Sequence, residues 1–210
     1  MTLDPRDCAV FSTLPMVMAP AFGELAELPS GSKRLIASRD GIYLEVRSPA
    51  MHCLVRISAL GAALPYGNVE PFIRLSAGPV PKALLRQVLE RGVMACPNET
   101  ALAVVINANG DGYSIEDVPI IEANAATVRY TDTLLDDDRL VFDFHSHGHA
   151  AAHFSLTDDD SDLGRRGPYL ALLAGTCANA EEVTLSARLC CSPFLVPLCV
   201  LELQSQGVIE

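Results

Sequence analysis

The feature that most constrains the fold of this chain is the run L-V-F-D-F-H-S-H at residues 140–147. In a β-strand successive side chains point to opposite faces, so residues two apart share a face. One predicted face carries three apolar residues, Leu140, Phe142 and Phe144. The other carries His145 and His147. The pattern therefore predicts a strand with its aromatic residues in the core and both imidazoles on one side of a sheet.

Two histidines placed two residues apart on a strand can bind one metal ion through both imidazoles. A third ligand is available at Asp158, which follows one loop after His147 and begins an acidic segment. Two histidines, one carboxylate and an open fourth position are typical of catalytic rather than structural zinc. Such a centre polarises a carbonyl group and lowers the pKa of bound water towards about 7.

The spacing of these residues resembles the signature of the JAMM (MPN-plus) zinc metalloprotease family. The segment reads H-S-H-x(7)-S-x-x-D, with His145, His147, Ser155 and Asp158 at its fixed positions. The resemblance implies that both histidines and Asp158 hold Zn²⁺ and that Ser155 helps to stabilise the oxyanion of the tetrahedral intermediate. It also implies an upstream glutamate that acts as the general base. The similarity extends over residues 79–203.

Glu99 occupies the position at which that family places its general base. It follows a predicted helix at 81–93 and precedes a predicted strand at 101–106. Glu90 and Glu116 are the other candidates, and neither lies between a helix and a strand. Glu99 is therefore predicted to accept the proton of the attacking water.

Some of these residues permit a purely structural interpretation. Ser155 also suits the N-cap of a short acidic helix, where its hydroxyl would accept a hydrogen bond from the first turn. Asp158 would then complement the positive end of the helix dipole, as Asp159, Asp160 and Asp162 are expected to do. Ser155 can serve as cap and as oxyanion donor at once.

The loop after the second histidine departs from the family, because Gly148 stands where a proline is usual. His149 and His153 are additional histidines, either plain loop residues or ligands of a second metal ion. Two other zinc families with an HxH motif fit less well. A metallo-β-lactamase needs an Asp-His pair just after the motif, and a cupin needs a glutamate that residues 148–157 do not contain.

The order of elements along the chain predicts an α+β fold, because strands and helices show no regular βαβ rhythm. Residues 1–77 are predicted to form a β-rich extension, with turn residues separating strands at 33–38, 41–47 and 52–58. Residues 78–210 are predicted to form the metallohydrolase domain. Further strands are predicted there at 113–118, 126–131, 169–174, 183–190 and 195–203, and a short helix at 155–163. By resemblance, this domain has a curved, mostly antiparallel MPN-like sheet flanked by helices.

Composition narrows the set of partners. The formal net charge is −11, from 26 acidic and 15 basic side chains, so direct nucleic-acid binding is not expected. No apolar run approaches the roughly 18 residues of a membrane helix, and no signal peptide is expected. The seven cysteines are odd in number and form no CxxC pair, which predicts free thiols in a reducing cytoplasm.

The function implied by the resemblance is zinc-dependent hydrolysis of a peptide or isopeptide bond, at the C-terminal tail of a ubiquitin-like or sulfur-carrier-like protein. The β-rich front and the stretch F-D-F-H-S-H-G-H at 142–149 are also similar to the JAMM family of bacterial PRTRC cassettes. Those cassettes set a JAMM protein beside ParB-related and ThiF-related proteins, which suggests a ThiF-related partner. The alternative function is a non-catalytic MPN-like scaffold that binds a protein partner.

Overall fold

The computed structural model of the chain describes residues 4–131 and 137–210. The chain divides between Arg74 and Leu75 into two compact units. The first three residues of the predicted extension lie outside the described part. That residues 1–77 and 78–210 are separate domains stays a prediction. None of the helices in the described ranges combines the length and apolar character needed to cross a membrane. All seven cysteines lie within these ranges as free thiols.

The first unit is built on one five-stranded sheet. Its elements are α1 (Pro5–Thr13), β1 (Met16–Met18), β2 (Ser32–Ala37), β3 (Gly41–Arg47), β4 (Met51–Ala59) and β5 (Phe72–Leu75), and the strands follow one another in the sheet in chain order. β2, β3 and β4 confirm the three predicted strands, and they pair antiparallel. The sequence analysis missed α1, whose residues are all outside the core.

The second unit contains a six-stranded sheet. Its elements are α2 (Lys82–Ala95), β6 (Ala101–Ile106), β7 (Tyr113–Asp117), β8 (Ile120–Asn124), β9 (Thr127–Tyr130), β10 (Leu140–Ser146), α3 (Leu156–Gly164), β11 (Tyr169–Gly175), β12 (Thr184–Cys191), β13 (Phe194–Leu198) and α4 (Val200–Ser205). The sheet order is β13-β12-β11-β10-β6-β7, and only the β10–β11 pair is parallel. β8 and β9 form a separate hairpin. The predicted α+β class and mostly antiparallel sheet are confirmed.

Strand β10 lies at the centre of this sheet, between β6 and β11. All seven of its residues are buried, and Phe142 and Phe144 are both 0% exposed. A strand that is covered on both faces and paired on both edges gains burial for every side chain. The predicted strand and its buried aromatic residues are confirmed.

The prediction that Leu140 shares a face of the strand with Phe142 and Phe144 is wrong. A β-bulge between Leu140 and Phe142 shifts the register, so Leu140 lies opposite Val105. Val105 shares a face of β6 with Ala101, which is the partner of His145. Since a bulge inserts one extra residue, it reverses the alternation and brings Leu140 onto the histidine side.

The last predicted strand, 195–203, is also wrong in its second half. The chain leaves the sheet after Leu198 and forms α4, in which the Leu203 N–H bonds to the Cys199 carbonyl at 3.1 Å. In a strand Leu201 and Leu203 would share a face, yet Leu201 is 73% exposed and Leu203 is 1% exposed. A helical turn with good helix formers separates them instead.

The two faces of the six-stranded sheet are covered differently. On the Phe144 side, α2 approaches so closely that a Cβ at Gly92 would lie 3.3 Å from the Phe144 ring. On the His145 side, the residues paired with His145 and Asp143 include three buried alanines, Ala101, Ala103 and Ala171, although Tyr169 and Leu140 lie further along the same face. Small side chains leave room above the sheet, and the cleft described below occupies that side.

Replacing Leu172 by alanine should cost about 2–5 kcal/mol of unfolding free energy, because a buried leucine loses its transfer energy and leaves a cavity. Leu172 is 1% exposed and pairs with Phe144 across β10 and β11. Urea denaturation followed by circular dichroism measures the change. Leu156→Ala, at a side chain that is 82% exposed, is the matched control and should shift stability by less than about 0.5 kcal/mol.

Candidate metal site and its cleft

The two histidines of the motif lie at the C-terminal end of β10. His145 pairs with Ala101 of β6 and Leu173 of β11, and it is 8% exposed. Backbone hydrogen bonds to both neighbouring strands hold Ser146 and His147, the next two residues. The Ser146 N–H bonds to the Thr100 carbonyl at 2.9 Å, and the His147 N–H bonds to the Ala174 carbonyl at 2.8 Å. The backbone that carries both imidazoles is therefore anchored to the two neighbouring strands.

The loop after His147 is held by close backbone contacts. Gly148 has φ +50°, and a Cβ there would lie 2.3 Å from the Pro97 carbonyl oxygen. The Cys177 N–H donates to the Gly148 carbonyl at 2.7 Å, and the Thr176 N–H donates to the Ala150 carbonyl at 2.7 Å. Proline, with φ near −65°, cannot adopt this conformation. Glycine at the position where the family usually has proline is thus required by this loop.

Helix α3 begins with a capping box formed by the two remaining residues of the motif. The Ser155 hydroxyl accepts from the Asp158 N–H at 3.2 Å, and the Asp158 carboxylate accepts from the Ser155 N–H at 2.6 Å. Reciprocal bonds of this kind satisfy two backbone donors of the first turn. The interpretation of Ser155 as an N-cap is confirmed, and the cap also orients the carboxylate of Asp158.

The structure brings the three predicted ligands together. His145 Nε2 lies 3.3 Å from Asp158 Oδ1, and His147 Nε2 lies 3.7 Å from Asp158 Oδ2. One ligand atom from each residue lies within 4.8 Å of the other two, so the group could hold a metal ion. The site fits a cation, because the buried His145 Nε2 makes no hydrogen bond of good geometry within the described ranges and faces the Asp158 carboxylate instead. A metal ion between the imidazole and the carboxylate would satisfy both buried polar groups.

The electrostatics of the cleft favour the metal-binding protonation states of Asp158 and His147. Burial alone would raise the pKa of Asp158, but the His145 ring and the hydrogen bonds from Ser155 lower it well below its ordinary value. Burial lowers the pKa of His147, and His145 lowers it further against the opposing charge of Asp158. A carboxylate and a neutral imidazole are the forms that coordinate a metal ion.

Glu99 lies in the same cleft as these residues. The cleft has a volume of about 580 Å³, and Glu99, His145, His147, Ser155 and Asp158 all line it. Glu99 is 8% exposed, and its N–H bonds to the Asn124 carbonyl of the β8–β9 hairpin at 2.9 Å. Burial raises the pKa of Glu99; His145 opposes this shift, and the charge of Asp158 adds to it. A carboxylate with a raised pKa beside a metal site is suited to accept a proton.

Glu90 and Glu116, the other candidates for the base, are not among the described residues that line this cleft. Glu90 is exposed on α2, and Glu116 pairs with Arg139 at 3.1 Å. The additional histidines lie outside the ligand group. His149 is 3.8 Å from the Cys96 sulfur, and His153 lines a neighbouring pocket.

The sequence analysis missed several residues around the cleft. The hydroxyl of Tyr130, on the β8–β9 hairpin, donates to the buried Asp143 at 3.1 Å, and Arg165 contacts the same carboxylate at 2.9 Å. The expectation that Asp162 only complements the helix dipole is wrong, because it is 8% exposed and paired with Arg188. The sequence carried one signal, an aspartate at 143 on the same side of the strand as His145. Its partners lie 13 and 22 residues away in the chain, so no local pattern indicates them.

Comparison with known protein families divides the chain in a similar way. Residues 4–76 match a family described as a domain of unknown function, DUF2016. Residues 81–189 match the family described as prokaryotic homologs of the JAB domain, in agreement with the resemblance to the JAMM/MPN family. No curated protein matches the chain. Because the second match spans just over half of the chain, the protein belongs to the prokaryotic homologs of the JAB domain.

Proposed function

We propose that this protein is a zinc-dependent peptidase or isopeptidase whose metal ligands are His145, His147 and Asp158. The observation that carries the proposal is the position of Glu99. Its carboxylate, with a raised pKa, lines the same cleft as a group of two histidines and an aspartate that could hold a metal ion. Ligands without a base would suffice for a structural metal, whereas hydrolysis also needs a proton acceptor.

Each residue has a role that follows from its contacts. Zinc, when bound, would polarise the scissile carbonyl and make a water molecule more acidic. Glu99 would accept the proton of that water and then pass it to the leaving amine. Ser155 uses its oxygen to accept the Asp158 N–H, so its hydroxyl proton remains available to stabilise the oxyanion.

The shape of the cleft supports an extended protein or peptide substrate. The β8–β9 hairpin forms one wall, through residues that include Ile121 and Thr127. Every residue of β8 is exposed, and among the described strands it pairs only with β9. An extended chain can pair with such an edge and lie across the cleft. We propose the C-terminal tail of a ubiquitin-like or sulfur-carrier-like protein as substrate, with a ThiF-related protein as partner in a PRTRC-type cassette in the cytoplasm.

The purified protein should contain about one equivalent of zinc per chain, and His145→Ala or Asp158→Ala should remove it. Loss of one of three protein ligands removes most of the affinity of such a site. Elemental analysis after dialysis measures the zinc content. His149→Ala, which changes an exposed histidine outside the ligand group, is the control and should keep its zinc. Full occupancy in either ligand variant would show that the ligand set is wrong.

Glu99→Gln should keep zinc and stability but lose about 10²-fold or more in hydrolysis, the scale of a general-base contribution. The assay is cleavage of a fusion protein that carries a ubiquitin-like tail. Glu90→Gln, at an exposed glutamate of α2, is the matched control and should retain activity. Equal turnover by Glu99→Gln and the parent would exclude Glu99 as the base. A parent protein that binds zinc but cleaves no such fusion would favour the scaffold alternative.

A further inference from the structure

The residue that links the two ligand-bearing segments of the site is Arg188 of β12. It pairs with Ala171 of β11, and Ala171 pairs with Asp143 of β10. Paired residues share a face, so Arg188 projects from the side of the sheet that carries His145. Ala171, which lies between Arg188 and Asp143, has only a methyl group and so leaves room for the long Arg188 side chain. Arg188 is 5% exposed, and a buried guanidinium needs partners for its charge.

The first set of partners lies on α3. Arg188 Nε donates to Asp162 Oδ2 at 2.8 Å, and Arg188 also pairs with Asp159. The other oxygen of Asp162 accepts from the Tyr169 hydroxyl at 2.8 Å. Asp159 and Asp162 follow the ligand Asp158 by one and four residues. Contacts at these two positions fix both the distance of α3 from the sheet and its rotation, and the rotation decides where the Asp158 carboxylate points.

The second partner is the aromatic ring that precedes the cap. The guanidinium carbon of Arg188 lies 3.9 Å from the centroid of the Phe154 ring, in a cation–π contact. The Phe154 ring also meets the His145 ring, with a centroid distance of 6.2 Å in an edge arrangement. One side chain therefore touches the helix that carries Asp158 and the ring that packs on His145.

We propose that Arg188 is a positioning residue of the metal site, which sets the separation of His145 and Asp158 by holding α3 and Phe154 against the sheet. The inference rests on the proposed function only for the identity of the metal ligands. Lysine cannot replace it, because one ammonium group lacks the planar fork that reaches both carboxylates while lying over the ring. Groups that hydrogen-bond directly to metal ligands typically change metal affinity about 10- to 100-fold, and this range sets the scale for a residue that acts through α3 and Phe154.

The test measures the zinc dissociation constant of Arg188→Lys by competition with a chromophoric chelator, beside its unfolding in urea. Zinc affinity should fall by about tenfold or more. The matched control is Arg34→Lys in the first unit. Arg34 is also buried, at 8% exposure, and its Nε lies 2.6 Å from Glu45. This control should lose stability without a change in zinc affinity. Wild-type zinc affinity in Arg188→Lys would overturn the proposal.

A milder pair of variants covers the case in which Arg188→Lys does not fold. Asp159→Asn removes one partner of Arg188 and leaves the Asp162 pair intact. Asp160→Asn removes the same charge from an exposed position of the same helix. Zinc affinity should weaken severalfold more in Asp159→Asn than in Asp160→Asn, and equal affinities would overturn the positioning role. If the parent protein binds no zinc, the proposed function fails together with this inference. If the parent binds zinc and the Arg188 or Asp159 variants match it, only this inference fails.

Discussion

The double pairing of β10, antiparallel with β6 and parallel with β11, is the interaction on which the rest of the site depends. It places His145 and His147 at the end of a strand whose backbone is bonded on both edges. Because both faces of β10 are covered, the imidazole of His145 is buried, and its Nε2 cannot turn to bulk water. The alanines beside it leave the space that becomes the cleft. The small alanine side chains and the anchored end of β10 together create a polar site on an otherwise apolar sheet.

Asp158 satisfies two requirements with one carboxylate. Its Oδ2 accepts from the Ser155 N–H, while its Oδ1 lies 3.3 Å from His145 Nε2. The cap restricts the side chain before any cation binds, so less conformational entropy remains to be lost on binding. The structural interpretation of the S-x-x-D segment and the ligand interpretation are thus compatible, because the capping geometry turns the carboxylate towards the histidines.

Helix α3 shows how a locally unfavourable sequence becomes stable in its tertiary setting. It carries a dense group of aspartates, and like charges one turn apart repel each other. Arg188 compensates two of them from a strand that lies 26 residues or more further along the chain. The guanidinium of Arg188 also lies over the Phe154 ring, and that ring packs against His145. Charge compensation and site geometry are consequently coupled through one buried arginine.

The sequence by itself determined the features that arise from local periodicity and local hydrogen bonding. Alternation predicted β10 and the shared side of its histidines, and the motif predicted the capped start of α3. The helix-to-strand setting indicated Glu99. The β-bulge at Leu140 was not predictable in this way, because it depends on the register of a partner strand.

Only the tertiary structure decided which distant groups meet. It placed the glutamate carboxylate in the cleft, brought the β8–β9 hairpin to its wall, and paired Asp162 with Arg188. It also showed that the glycine after the second histidine is required by the approach of the Pro97 carbonyl. Such contacts join residues far apart in the chain, and their partners are selected by strand order and by the space that neighbouring side chains leave. No local pattern encodes that space, so the motif predicted the ligands while the fold decided their surroundings.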